Sequence, residues 1–329
     1  MTAPILRTVF LGTSEFAAAV LARLATSEHP PALVLSRPDR PRGRGRRMAA
    51  PPVAERARAL GLALEQPESV NEPTARALIA EAQPQALVVC AFGALIKEPL
   101  LSEHELLNVH PSLLPRWRGA APIERAIMAG DELTGVSIMR LTAGLDSGPV
   151  CLTAAASIIP QDTYGSLATR LAEIGGELLV RALDLIAAGE PPASVEQDEA
   201  SVTYAEKIGP EDRLLDPARP ASELERVVRA LHPHIGARVG LADGTLLGVH
   251  RARIAEISPS AGDPADGVIA DRHQPEAGLT AEAGLTAQSG RLLLGCRTGV
   301  LELLEVQSPG GRAMDASAYL RGRGLPVRR

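Results

Sequence analysis

The chain has 329 residues, room for about two domains at roughly 100–200 residues each. Hydrophobic residues make up 45% and charged residues 22%, which excludes a disordered chain, while aromatics at 2% leave the cores to Leu, Val, Ile and Ala. The net charge of −5 argues against a generally basic nucleic-acid binder, and the apolar stretch at 83–96 is short of the about 20 residues a membrane span takes. The opening MTAPILRTVFLG has no basic segment ahead of an apolar one, and Cys90, Cys151 and Cys296 match no metal or disulfide spacing. A cytoplasmic protein is expected.

In chain order, Ile5–Leu11, Ala32–Leu35 and Ala86–Ala91 read as strands, continuous apolar runs of the kind covered on both faces of a parallel sheet. Between them Glu15–Ala25, Pro52–Leu60 and Pro73–Ala82 show helical spacing, with Ser14 and Thr74 as candidate N-caps and Pro52 suited to a first turn. Leu106–His110 and Thr134–Leu141 read as strands around a helix at Ala121–Ala129, and Thr163–Ala188 as a long amphipathic helix ended by Gly189. The alternation predicts an α/β fold with a doubly wound, Rossmann-like, mostly parallel sheet. Pro191–Gly209 opens with a proline pair, carries Glu196, Asp198, Glu199 and Glu206, and reads as a linker. Beyond it come a helix at Ala221–Leu231 and short β-like runs at Ala237–Leu241, Leu246–Ala252, Gly267–Ala270, Leu292–Leu294 and Val300–Val306. Their spacing predicts a small five-stranded β-barrel of the OB type. The expected domains are thus 1–190 and 210–329, joined by 191–209. A near-repeat, GLTAEA at 278–283 and GLTAQS at 284–289, reads as a local duplication that lengthens a hairpin.

Charge is concentrated in two places. Arg37, Arg40, Arg42, Arg44, Arg46 and Arg47 stand against Asp39 alone, and Arg312, Arg321, Arg323, Arg328 and Arg329 against Asp315. Two basic stripes on an acidic chain are expected to meet a polyanion locally; the alternative is a solvated loop and a solvated tail.

GTSEF at 12–16 turns from the first strand into the first helix, but it has one glycine of the dinucleotide fingerprint and no acid closes the second strand. The segment NVHPSLLPRWRGAAPIERAIMAGD at 108–131 is more unusual. Asn108 and His110 alternate on a predicted strand and so project to one side, at the C-terminal end where open α/β sheets bind ligands. Pro111 and Pro115 fix the following loop, and Arg116 and Arg118 flank the single tryptophan, Trp117. Asp146, in LTAGLDSGPV, is the natural carboxylate partner, with a plain turn residue as the alternative. No serine or cysteine occupies a nucleophile elbow, so no covalent acyl-enzyme is expected.

At these residues the chain resembles the folate-dependent formyltransferases, whose pattern is Asn-x-His, then SLLPxxxG, then a distant GxDxG. Here it stands as Asn108, His110, Ser112-Leu113-Leu114-Pro115, Gly119 and Gly144-Leu145-Asp146-Ser147-Gly148. RPDRPRGRGRR at 37–47, LLPRWRGAAPI at 113–123 and TYAEKI at 203–208 narrow the resemblance, nearly end to end, to the methionyl-tRNA formyltransferase family. It implies formyl transfer from 10-formyltetrahydrofolate, a co-substrate, to the α-amine of methionyl initiator tRNA, without a metal and by a monomer.

The resemblance further implies that Asn108 and His110 stabilise the oxyanion and that Asp146 orients His110 and shuttles the proton. Folate would meet Cys90, Ala91, Phe92, Gly93, Ile96, Ser112, Leu113, Leu114, Pro115, Leu141 and Gly144. The tRNA would meet Arg40, Arg42, Arg44, Arg46, Arg47, Arg116, Arg118, Arg321 and Arg323, with the barrel and tail holding phosphates. Phe92 stands where tyrosine is frequent in the family, which removes a hydroxyl. A different formyltransferase or hydrolase on the same catalytic unit would lack the arginine loop and the barrel. A non-enzymatic RNA-binding protein would need the basic stripes alone.

Overall fold

The computed structural model describes residues 5–42, 45, 47–255 and 284–323. They fall into two units: residues up to Ala126 with Asp131–Lys207, and Ile127–Gly130 with the chain from Ile208 onward. The first unit begins β1 (Thr8–Gly12), α1 (Glu15–Ala25), β2 (Pro31–Leu35), β3 (Arg40–Arg42), β4 (Arg47–Ala49), α2 (Pro52–Ala59) and β5 (Leu64–Glu65). It continues through α3 (Pro73–Ala82), β6 (Ala86–Cys90), α4 (Leu100–Glu103), β7 (Leu106–His110), β8 (Arg118–Gly119) and α5 (Pro122–Ala129), whose last turn belongs to the second unit. β9 (Leu133–Arg140), β10 (Val150–Ser157), α6 (Tyr164–Ala187) and β11 (Tyr204–Ala205) complete it.

Seven strands form one sheet in the order β10-β9-β7-β6-β1-β2-β5. β1, β6 and β7 are buried at every residue, which is why they read as unbroken apolar runs. The strands from β5 to β7 pair in parallel; β9 and β10 are antiparallel additions. The chain leaves β1 on one side for β2 and returns on the other as β6, so the strand order reverses between β1 and β6. A crevice outside the strand C-termini at such a reversal is where this architecture binds ligands.

Local chemistry explains the flanking helices. The Ser14 hydroxyl accepts from the Ala17 N–H at 3.2 Å and starts α1. Thr163 and Ser166 cap one another's backbone to start α6. Thr74 does not cap α3, because Pro73 already occupies the first helical position and Glu72 precedes it. α6 packs on α1, and it can do so because it carries Gly175 and Gly176: a Cβ on Gly176 would lie 2.8 Å from the Arg23 Cβ.

Two segments depart from expectation. The arginine-rich stretch is a hairpin, with Arg40 opposite Ala49 and Pro41 opposite Met48. Pro191–Gly209 is not a free linker. Val195 exchanges backbone hydrogen bonds with Val150 at 2.8 and 2.9 Å, Asp198 caps a short turn at Glu199–Ser201, and β11 pairs in parallel with β8. Acids and prolines there mask backbone pairing that leaves no apolar signature. β10 was equally hidden: VCLTAAAS is an edge strand of small residues.

In the second unit α7 (Ala221–Leu231) precedes β12 (Ala237–Gly240) and β13 (Leu246–Ile254). β14 (Gly284–Gln288), β15 (Arg291–Gly295), β16 (Val300–Gln307), β17 (Ala313–Asp315) and α8 (Ala316–Arg323) follow. The antiparallel sheet β12-β13-β16-β15-β14, with β17 on β16, curls into a half-barrel whose core includes Leu224, Leu231, Leu247, Leu294, Leu301 and Tyr319. β14 and β17 add to the expected strands. β14 is the second copy of the near-repeat, pairing as a hairpin with β15; the first copy at 278–283 and the expected strand at 267–270 lie outside the described residues. Among the described residues no helix is long and apolar enough to cross a membrane.

Glu302, buried on β16, accepts from the Arg291 Nη2 at 2.7 Å and the Arg253 Nε at 2.8 Å. The Arg291 hydrogen bond, helped by Arg253 and opposed by burial, pulls its carboxyl down to about 2 from 4.5. A depressed folded value adds stability above the unfolded value, and that stability is lost as pH falls from about 4.5 towards 2. The melting temperature of wild type should therefore exceed that of Glu302→Gln by its full margin at pH 6, and the margin should shrink across that acid window; a margin independent of pH would dismiss the ion pairs as stabilising.

Candidate active site

β7 delivers Asn108 and His110 to the crevice, 7% and 4% exposed, with Val109 turned into the core between them. Asp146 arrives on the loop between β9 and β10 in a left-handed conformation, φ 45°. Its Oδ2 accepts from the Gly119 N–H at 2.9 Å and lies 3.6 Å from the His110 Nδ1, while its Oδ1 accepts from the Asn108 Nδ2 at 3.4 Å. The His110 Nε2 donates to the Trp117 carbonyl at 2.9 Å, so Nδ1 is the ring nitrogen left for Asp146 and any reacting group. Trp117, φ 63°, and Ala91, φ 41°, are also left-handed, so three strained non-glycine residues surround one site.

These groups edge a cavity of about 540 Å³, the size of a small-molecule site, whose remaining walls are largely apolar. Ala91, Phe92, Gly93, Ile96, Leu141 and Gly144 line it, as do Asn108, His110 and Asp146. The other expected folate residues do not. Cys90 is wholly buried at the end of β6, and burial pushes its thiol pKa far up, which leaves it inert. Ser112 is buried too: its hydroxyl donates to the Arg116 carbonyl at 2.6 Å and its own carbonyl accepts from Ser137. Ser112, Leu113, Leu114 and Pro115 are not among the lining residues; Gly119, Ala120 and Pro122 are. Leu95 and Leu145, 64% and 63% exposed, also line the cavity, and neither was expected. Among the described residues no group of three or more His, Cys, Asp or Glu could hold a metal.

The arginines differ in their freedom. Arg40 and Arg47 are exposed on the hairpin, Arg40 paired with Glu68 at 2.6 Å. Arg44 and Arg46 lie outside the described residues, as do the side chains of Arg42 and Arg323. Arg321 is exposed on α8. Arg116 makes a two-pronged ion pair with Asp131 and stacks over Trp117 at 4.4 Å. Arg118 corrects expectation outright: its side chain is 3% exposed and bonded to Gln197 and Glu199, so it faces no solvent-borne phosphate. Gln197, which nothing in the sequence singled out, donates to the carbonyls of both Asp146 and Gly148.

Comparison with known proteins agrees across the whole chain. Residues 6–183 match the model of the family described as Formyl transferase, and residues 207–324 that of Formyl transferase, C-terminal domain. The chain is 40% identical to a protein named methionyl-tRNA formyltransferase from Methylococcus capsulatus, over 98% of this chain and 99% of that one. It is 41% identical to another of that name from Halorhodospira halophila, over 97% of each. Among solved structures, an N-formyltransferase from Helicobacter canadensis, in complex with folinic acid and dTDP-3-aminofucose, matches with a TM-score of 0.62 at 12% identity, over 91% of this chain and 98% of that one. HypX from Aquifex aeolicus, in complex with tetrahydrofolic acid, has the same TM-score at 17% identity, over 96% of this chain and 47% of that one. Both likenesses are of fold.

Gly119 has φ 123°, and a Cβ there would lie 2.7 Å from the Ala205 carbonyl oxygen. Gly119→Ala must therefore push β8 from β11 and lift its N–H off Asp146. The expected loss is about 1–3 kcal/mol of stability, read as a lowered denaturant midpoint; an unchanged midpoint would mean that this contact relaxes freely.

Proposed function

The chain belongs to the formyl transferase family, as a methionyl-tRNA formyltransferase, and we infer from this that it transfers the formyl group of 10-formyltetrahydrofolate to the α-amine of methionyl initiator tRNA. The product is N-formylmethionyl-tRNA for translation initiation. The observation that carries the reading to particular residues is the convergence of Asn108, His110 and Asp146 on the polar corner of an apolar cavity.

The folate supplies a formyl carbon on N10. The α-amine attacks that carbon, a new C–N bond forms, the bond to N10 breaks, and charge builds on the formyl oxygen at the transition state. Asn108 has a second amide hydrogen beyond the one directed at Asp146 and donates it to that oxygen. In its imidazolium form His110 donates from Nδ1, its Nε2 hydrogen being held by the Trp117 carbonyl. Asp146, kept in place by the Gly119 N–H, takes the proton the amine loses and passes it, directly or through a water, towards N10. Ala91, Phe92, Gly93, Ile96, Leu141 and Gly144 border the folate and keep water from the reacting carbon.

The tRNA reading rests on the basic regions. By this reading Arg40, Arg42, Arg44, Arg46 and Arg47, together with Arg116, meet the acceptor end, while Arg321 and Arg323 hold phosphates more generally. The enzyme is proposed to work as a monomer in the cytoplasm.

Formylation of methionylated initiator tRNA, compared with elongator tRNA and free methionine, tests the activity. Asn108→Ala should lower turnover about 100- to 1000-fold with KM for tRNA nearly unchanged. Asp146→Asn should fail in the chemical step and still bind a non-reactive folate analogue; a wild-type single-turnover rate would reduce Asp146 to a turn residue. Arg44→Ala should erode discrimination between initiator and elongator tRNA. Neutralising Arg321, Arg323, Arg328 and Arg329 should weaken both tRNAs alike and flatten the salt dependence. Equal losses for both tRNAs with Arg44→Ala would make the hairpin a purely electrostatic landing surface.

A further inference from the structure

Asp146 sits where a side chain with a Cβ pays for its backbone conformation, so something outside its own loop must hold it there. The side-chain amide of Gln197 does so. Its Nε2 donates to the Asp146 carbonyl at 2.8 Å and to the Gly148 carbonyl at 2.7 Å, one hydrogen for each, and so brackets the turn that presents the carboxylate. The amide cannot turn over, because its Oε1 accepts from the Arg118 Nε at 2.9 Å. Arg118 is itself fixed: its side chain is 3% exposed, and its Nη2 donates to the Glu199 Oε1 at 2.8 Å.

The segment that carries Gln197 is anchored on both sides. Val195 is bonded to Val150, and beyond the Asp198-capped turn β11 pairs with β8. The same β8 supplies the Gly119 N–H to the Asp146 carboxylate. One strap, residues 195–205, thus governs Asp146 twice, by its backbone through Gln197 and by its carboxylate through Gly119.

We propose that Gln197, seated on the buried Arg118, is a positioning residue for formyl transfer that fixes Asp146 at the distance from Asn108 and His110 that the proton transfer needs. This rests on the role given to Asp146 above. Gln197 touches neither substrate; it acts through the residue it holds. Its side chain is half-buried rather than part of an apolar core cluster among the described residues, and Glu199 still accepts from Arg118 when it is replaced.

The test is a double-mutant cycle between Gln197→Leu and Asp146→Asn, read by single-turnover formylation of methionyl initiator tRNA. Gln197→Leu should slow the chemical step about 10- to 100-fold, the penalty for misplacing a catalytic group by about an ångström. KM for tRNA and for the folate should stay within about threefold, because neither is touched. In the Asp146→Asn background the same replacement should cost nothing more, since there is no working carboxylate left to position. Gln197→Glu keeps an acceptor for Arg118 but sets an oxygen against the two carbonyls, and must fall as far; it covers the case in which Gln197→Leu loosens the fold. A wild-type rate in both Gln197 variants, or an undiminished loss in the Asp146→Asn background, overturns the proposal while Asp146→Asn itself stays slow. If wild type does not formylate methionyl-tRNA, or Asp146→Asn matches it, the reading of the site fails first and takes the proposal with it.

Discussion

The hydrogen bond from the Gly119 amide to the Asp146 carboxylate joins two loops that the chain reaches by separate routes, one after β7 and one after β9. A carboxylate at the edge of an apolar cavity needs donors, and here it draws one from backbone and one from the Asn108 amide. Removing that bond would take away one of the carboxylate's donors and leave the loop to Gln197 and Asn108. β8 can approach closely enough only because residue 119 has no side chain, and it is held there by β11. The strained backbone at Ala91, Trp117 and Asp146 is stored around this one contact.

The parts of the site that alternate on a strand were legible in the sequence. Asn108 and His110 lie two residues apart on an apolar run, and period two with a buried Val109 between them forces both side chains into the crevice. The helices Glu15–Ala25, Pro73–Ala82 and Ala221–Leu231 were equally plain, since their apolar stripes and flanking prolines or serine are local signals. What stayed hidden was long-range pairing among polar residues. Arg118 and Trp117 share one sequence context with Arg116, yet Arg118 turns inward because Gln197 and Glu199, some 80 positions later, supply acceptors. Nothing in the intervening composition announces that meeting. The SLLP segment does not line the cavity: the Ser112 hydroxyl is spent on the Arg116 carbonyl and the Ser112 carbonyl accepts from Ser137, contacts that a motif does not show.

The basic regions are more balanced than the arginine count implies. Arg37 and Arg40 both lean on Glu68, and Asp39 shares the Gln66 amide with the Arg37 carbonyl. Arg116 is matched by Asp131, which also accepts from the Trp117 indole. Exposed pairs such as Arg40–Glu68 add little stability, but they set the direction of the guanidinium. In the second unit Arg253 and Arg291 are drawn onto Glu302, so that sheet offers fewer free cations than its sequence suggests.

The strap at 195–205 also bears on how the protein can be divided. The two family models end at residue 183 and resume at residue 207, leaving the strap in neither, and composition alone would set a boundary near residue 190. A fragment cut there would keep every strand of the large sheet and all three residues at its polar corner. It would also strand Arg118 as a buried guanidinium without its acceptors and strip β8 of its neighbour. A cut that spares the strap falls after Lys207, so residues 191–207 of the first unit are the ones a dissection by composition would discard.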